Sequence, residues 1–117
     1  KKGRAFTLTA NRSLAIQVFA NLIYNAAEYS DRNVAVRLEK DGSRYIFSCH
    51  NDGLNIAERD KEKIFSKFFR AVKARERKKR GDGLGLYIVK TVADEFGWKV
   101  WFDSTPRKGT NFYVYLS

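Results

Sequence analysis

RGDGLGLYIVKT, residues 80–91, is the stretch on which the fold turns. Gly81, Gly83 and Gly85 alternate with other residues and run directly into an apolar pattern at helical spacing. Leu84, Leu86, Ile88, Val89 and Val92 make that pattern, and Gly97 closes it as a C′ residue. A glycine-rich turn entering a helix collects backbone N–H groups that have no intrahelical partner, at the positive end of the helix dipole. Such a place suits a phosphate chain, and the same residues also describe a plain flexible entry to a helix. The flanking sequence has to decide between them.

Immediately before the turn stands a basic run. Arg70, Lys73, Arg75, Arg77, Lys78, Lys79 and Arg80 face Glu76 alone, a surplus of six within a chain whose net charge is +10. A run like this serves a nucleic-acid contact, a cover over an anionic ligand, or a solvated loop. Its position beside the glycine turn favours the anionic ligand.

At 117 residues the chain has the size of one domain, residues 1–117, with a core of its own. An apolar fraction of 44% is that of a globular protein and excludes a disordered one. No apolar run approaches the roughly 20 residues that span a bilayer. The single Cys49 has no partner for an internal disulfide and lies in a strand-like run, which reads as a small buried hydrophobe in a reducing, cytoplasmic setting. A start at Lys1 without Met reads as a piece of a longer protein.

In chain order, residues 4–9 alternate as a strand, and Asn11 offers a cap for a helix from Arg12 to about Tyr29. In that helix Ala15, Val18, Phe19, Leu22 and Ala26 form a core-facing stripe. Gln17, Asn21, Asn25 and Glu28 form a second stripe, with Tyr29 beside it. This second stripe is either a polar outer face or a row of neutral ligands for a metal or a polar group. Val34, Val36 and Leu38 alternate as a half-buried strand, Asp41-Gly42 signals a hairpin, and Tyr45 to Cys49 return. The loop Asn51-Asp52-Gly53-Leu54-Asn55-Ile56 has turn chemistry throughout. A short helix from about Ala57 to Phe65 is expected next, leading into the apolar cluster Ile64, Phe65, Phe68 and Phe69. After the glycine turn and its helix, residues 98–103 and 110–116 read as an antiparallel pair. The order implies a two-layer α/β sandwich, a mixed and mostly antiparallel sheet covered on one face by about three helices.

Four segments in this order resemble one family, the catalytic ATP-binding domain of bacterial sensor histidine kinases, within the superfamily that includes Hsp90, DNA gyrase B and MutL. NLIYNAAEYS (residues 21–30) is similar to its N box and NDGLNI (51–56) to its first glycine box. IFSKFFRA (64–71) is similar to its F box, which points to the histidine-kinase branch, and GDGLGLYIVK (81–90) to its second glycine box. KGTNFYVYL at the end resembles the closing glycine-threonine strand.

The resemblance implies a Bergerat-type fold that binds ATP with Mg²⁺. By similarity Asn25 binds Mg²⁺ through its side-chain oxygen, Asn21 supports the phosphates, and Tyr29 packs near the adenine. Asn51 takes the base-reading position, Gly53 lets the backbone approach the base, Thr110 helps close the adenine pocket, and Ile56 belongs to the same nucleotide-binding set. Arg70 and the basic run reach the phosphates, which the turn of Gly81, Gly83, Leu84, Gly85 and Leu86 wraps. Asn25 and Arg70 are the catalytic candidates for transfer of the γ-phosphoryl group to a histidine. The resemblance places that histidine on a separate dimerisation domain of the parent kinase, with a response regulator downstream. The fragment itself is expected to be monomeric and cytoplasmic, alone or as part of a membrane-anchored sensor. His50, the single histidine, reads as structural.

Three positions depart from the family pattern. Asn51 replaces an aspartate, Asn55 a glycine, and Glu28 stands where a basic residue often meets phosphate. Asn55 tolerates the left-handed conformation that the glycine would supply. Two other readings compete, a nucleotide-binding regulator without kinase activity and a basic nucleic-acid module. Only the basic run supports the second, since the aromatic residues lie at core spacing and no nucleic-acid partner is expected.

Residues 73–82 carry almost no apolar side chains, and their like charges repel, so burial cannot order them. Trypsin is therefore expected to cut the free chain first within this run, and a non-hydrolysable ATP analogue with Mg²⁺ to slow that cutting. Equal rates with and without nucleotide would leave the run a solvated loop.

Overall fold

The computed structural model describes residues 12–30, 33–53, 55–66 and 85–116. The expected first strand at 4–9, the second half of the phenylalanine-rich segment, the basic run and the turn before Gly85 lie outside them. Helix α1 spans Arg12–Tyr29, and strands β1 (Val34–Asp41) and β2 (Arg44–Asn51) follow as a hairpin. A 3-10 turn at Glu58–Asp60 precedes the described helix α2 (Gly85–Phe96), which leads into β3 (Lys99–Thr105) and β4 (Gly109–Leu116). The four described strands form one antiparallel sheet in the order β1-β2-β4-β3, so β2 and β4 are its centre.

The alternation of β4 decides which face is inside. Thr110, Phe112, Val114 and Leu116 are buried, and the residues between them are half-buried on the opposite face. Register puts Cys49 opposite Phe112 and Phe47 opposite Val114 on β2, and Phe102 and Val100 opposite the same pair on β3. On this face α1 lays Ala15, Val18, Leu22 and Ala26, and α2 lays Val89, Val92 and Ala93. Val18, Leu22, Val89 and Val114 are fully covered, each stabilising the fold by about 1.5–3 kcal/mol relative to exposure. Phe19 joins the layers, its ring centroid 4.6 Å from Phe47 and 6.3 Å from Trp98. Burial pushes the Cys49 thiol up to about 11, so it stays protonated and donates to the Leu22 carbonyl oxygen at 3.6 Å.

The C-terminus of α2 is a Schellman motif. Gly97 has φ 73°, its N–H donates to Asp94 O at 3.3 Å, and Trp98 N–H donates to Ala93 O at 2.8 Å. This turn drops Trp98 into the core at 4% exposure.

Three expectations change. The helix from Ala57 to Phe65 is instead a 3-10 turn followed by further three-residue turns, with Asp60 N–H on Ala57 O and Lys63 N–H on Asp60 O, each 2.9 Å. Residues 58–63, ERDKEK, are all charged, so no apolar stripe holds a regular helix onto the core until Ile64. Strand β1 is exposed along its whole length: Val34, Val36 and Leu38 remain 37%, 47% and 53% accessible. It forms the margin of the described sheet, beyond the stripe that α1 covers. The aromatic residues also divide between the two faces. Trp101 and Tyr113 stand on the face opposite α1 and α2, stacked at 5.1 Å, with Lys99 over Trp101 and Arg44 over Tyr115. There Asp103 accepts from Tyr113 Oη at 3.0 Å and from Asn111 Nδ2 at 2.9 Å.

One close approach joins the β3–β4 hairpin to the loop after β2. Gly109 has φ 85°, and a Cβ there would lie 2.1 Å from the Asn51 carbonyl oxygen and 3.0 Å from Asp52 Cα. At Gly97 a Cβ would meet nothing within 4 Å. Gly109→Ala is expected to cost about 2–4 kcal/mol, combining backbone strain with overpacking, against about 1 kcal/mol for Gly97→Ala. Urea unfolding of both variants measures the difference, and equal costs would deny the close approach.

Candidate functional site

Helical periodicity ties the amide stripe of α1 to the core. Leu22 and Ala26 are buried at 0% and 3%, so the preceding residues, Asn21 and Asn25, are carried to the edge of the buried stripe, where both are half-buried. The two amides are one turn apart on the same face. Helix α2 begins against them, since a Cβ on Gly85 would lie 3.3 Å from Asn21 Oδ1. The first described turn of α2, where a helix has N–H groups without an intrahelical partner, is thereby brought to the amide stripe across a long stretch of sequence. Leu86, the next residue, packs against the core and holds the first turn in place.

The loop after β2 makes the other end. Asn51 closes β2 at 3% exposure, opposite Thr110 on β4, itself 3% exposed. Asn51 Nδ2 is buried with no hydrogen-bond partner among the described residues. A buried amide donor left in that state is costly, and a ligand or water that accepts from the same group would relieve it. Asp52 is turned the other way. Its Oδ1 accepts from Ser30 Oγ at 2.8 Å and its Oδ2 from Asn33 N–H at 3.1 Å, which fastens the loop to the chain leaving α1. Gly53 is half-buried at the bend. At the loop's exit Ile56 N–H donates to Ser104 Oγ at 2.7 Å, and Ser104 Oγ lies 2.7 Å from Thr110 Oγ1.

The structure thus describes Asn21, Asn25, Asn51, Gly53, Ile56, Gly85, Leu86 and Thr110 among the expected site residues. It gathers them into two groups, an amide-and-helix-start group (Asn21, Asn25, Gly85, Leu86) and a loop-and-strand group (Asn51, Gly53, Ile56, Thr110). Arg70, Gly81, Gly83 and Leu84 lie outside the described residues, as does the side chain of Tyr29. His50 is apart from both groups. It sits on the sheet face opposite α1 and α2, with Nδ1 2.9 Å from Asn111 Oδ1. Ser104 was not singled out by pattern. A hydroxyl two residues after Phe102, in the inward phase of the strand, is the one signal Ser104 offers.

The donor set limits the chemistry. Among the described residues no cluster of three His, Cys, Asp or Glu side chains could hold a metal alone. Neutral amide oxygens such as that of Asn25 instead suit Mg²⁺, which keeps several waters and shares its remaining positions with a substrate's phosphates. The start of α2 suits those phosphates, and the orphaned donor of Asn51 suits the ring nitrogen of a base.

Comparison with known proteins agrees with this geometry. Residues 10–117 match the family described as histidine kinase-, DNA gyrase B- and HSP90-like ATPases. Sensor histidine kinase WalK of Bacillus subtilis is 37% identical over 98 residues, which is 80% of this chain and 16% of the relative. Sensor-like histidine kinase SenX3 of Mycobacterium tuberculosis is 36% identical over 108 residues, 91% of this chain and 26% of the relative. The chain therefore spans a minor part of the curated relatives it matches. Among solved structures, the mycobacterial sensor histidine kinase MprB superposes with TM-score 0.82 at 28% identity, over 93% of this chain and 75% of that one. The catalytic domain of histidine kinase ThkA superposes with TM-score 0.72 at 34% identity, over 92% and 69%. By this match and these likenesses, this chain belongs to the histidine kinase-, DNA gyrase B- and HSP90-like ATPase family, as a catalytic ATP-binding domain of the sensor histidine kinase type.

Proposed function

We propose that this chain is the module that binds Mg-ATP for a two-component sensor kinase and positions the γ-phosphoryl group for transfer to a histidine elsewhere in the parent protein. The observation that carries this reading is the approach of Gly85 to Asn21, which sets the N-terminus of α2 on the amide stripe. Phosphate oxygens lying there would accept from the first N–H groups of α2, including those of Gly85 and Leu86, and from the turn of Gly81, Gly83 and Leu84. Arg70 would add a guanidinium at the same end. Asn25 Oδ1 would hold Mg²⁺, with Asn21 beside it. Bound there, Mg²⁺ supplies neutralisation of phosphate charge, and positioning by the protein does most of the remaining work.

The base would lie against Asn51, Gly53, Ile56 and Thr110, with Tyr29 near it. Asp52 has both carboxylate oxygens engaged away from that position, which favours Asn51 as the base reader. His50 is hydrogen-bonded on the opposite face of the sheet, so the acceptor histidine is assigned to a separate helical domain of the parent. A response regulator would receive the phosphoryl group next, and the work would be done in the cytoplasm. Among the described residues no helix is long and apolar enough to cross a membrane. Titration with a non-hydrolysable ATP analogue, with and without Mg²⁺, tests binding. Phosphotransfer to the parent's helical domain tests catalysis, and binding without transfer would identify a nucleotide-responsive regulator instead.

Asn25→Ala is expected to weaken Mg-ATP analogue binding by about tenfold or more, measured by calorimetry. Alanine is the better helix former at this half-buried site, so the melting point without nucleotide should hold within a few degrees. Unchanged affinity would remove Asn25 from the metal site.

Asn51→Ala is expected to weaken ATP binding clearly and to reduce the preference for ATP over GTP, since guanine carries a carbonyl oxygen where adenine carries its amino group. Asn51→Asp should change ATP affinity by no more than about tenfold in either direction, because a stronger charge-assisted bond opposes the cost of burying the charge. An Ala variant that binds ATP as tightly as the parent, with adenine preference intact, would exclude Asn51 as the base reader.

A further inference from the structure

Strand β3 carries none of the four motifs, yet one of its side chains holds the base loop. Ser104 is 5% exposed and faces inward, opposite Thr110 in the β3–β4 register. Its Oγ accepts from Ile56 N–H at 2.7 Å and shares a hydrogen bond with Thr110 Oγ1 at 2.7 Å. Its carbonyl oxygen accepts from Lys61 Nζ at 3.3 Å, and Lys61 also pairs with Glu58 at 3.1 Å. The residue therefore contacts the exit of the loop through its side chain and the turn beyond it through its backbone.

The same hairpin holds the loop's entry. Gly109 sits directly against the Asn51 carbonyl and Asp52 Cα, with no room for a Cβ. Both ends of residues 51–56 are thus fixed by one hairpin, at the entry by close packing and at the exit by a hydroxyl. Between them lie Gly53 and the buried amide of Asn51. Without Ser104 Oγ, the Ile56 N–H would lose the acceptor that the structure gives it, and a part-buried amide without an acceptor favours rearrangement of the loop.

We infer that Ser104 is a positioning residue for the nucleobase end of the site, setting through Ile56 and Thr110 the loop geometry that Asn51 and Gly53 need to receive a purine. The inference rests on the nucleotide-binding reading and adds to it a determinant outside every motif. Its effect is expected on the base and not on the phosphates, because among the described residues the hydrogen bonds of Ser104 run to Ile56, Thr110 and Lys61 and none runs to α1 or α2.

The test compares Ser104→Ala and Ser104→Thr with the parent chain, titrated with a non-hydrolysable ATP analogue and separately with tripolyphosphate, both with Mg²⁺. Ser104→Ala should bind the analogue about tenfold more weakly, with tripolyphosphate binding unchanged, and Ser104→Thr, which keeps the hydroxyl, should recover most of the loss. An unchanged affinity for the analogue would overturn the inference, and so would an equal loss for both ligands, which signifies general loosening. Should Ser104→Ala fail to fold, hydrogen exchange of the Ile56 amide in the parent chain decides. Strong protection without nucleotide supports the clamp, and exchange at the rate of an open loop overturns it. A parent chain that binds tripolyphosphate but no adenine nucleotide would sink the nucleotide reading itself, whereas loss confined to the comparison of variants sinks only the role of Ser104.

Discussion

Burial of the α1 stripe against the centre of the sheet is the constraint on which the rest depends. Val18 and Leu22 are fully covered, Phe19 reaches Phe47 and Trp98, and the Cys49 thiol meets the Leu22 carbonyl. Because side chains advance about 100° per residue around a helix, seating Leu22 and Ala26 leaves Asn21 and Asn25 one position around, at the rim of the interface. The amides are placed by the apolar residues beside them, and core packing is rigid enough to hold that placement.

Helix α2 obeys the same logic from the other side. Val89, Val92 and Ala93 fix its roll, and the Schellman turn at Gly97 fixes its end by delivering Trp98 to the core. With the C-terminus held, the N-terminus has little freedom, and Gly85 arrives against Asn21. An anion site at a helix start works only if the start is held still, since its N–H groups act within the first turn. Here Leu86 packs the first described turn of α2 against the core, and the Schellman turn holds the far end.

The sheet divides its two faces sharply. Inside, Ser104 and Thr110 are a buried hydroxyl pair at the end of an otherwise apolar layer, and a polar pair in that position is stable because Ile56 N–H completes its hydrogen bonding. Outside, Trp101 and Tyr113 stack beneath Lys99 while Asp103 accepts from Tyr113 and Asn111. Burial, aided by Asp103, raises the Tyr113 hydroxyl above its ordinary range, so it remains a donor to that carboxylate. The cations and hydroxyls on this face cover the rings, which is how a sheet with aromatic residues on its open side stays solvated.

Much was legible in the residues alone. The period of Ala15, Val18, Leu22 and Ala26 announces α1 and its buried side, the alternation of residues 110–116 announces β4, and Gly97 announces the end of α2, because periodicity and backbone freedom are local properties. The ordered motifs announce the family. Other features were decided by tertiary structure. Alternation in β1 shows which of its side chains share a face, and not that α1 stops short of covering them. The charged run ERDKEK is fastened as short turns by contacts from outside it, with Asp60 buried and Lys61 on the Ser104 carbonyl. Asp52 and Asn51 are adjacent and chemically alike on paper, and only the positions of Ser30 and Asn33 turn the carboxylate away and leave the amide buried at the end of β2. Ser104 acquires its role from residues far away in sequence. Local order follows from spacing along the chain, whereas coverage, partner choice and the fastening of a loop arise only when distant segments meet.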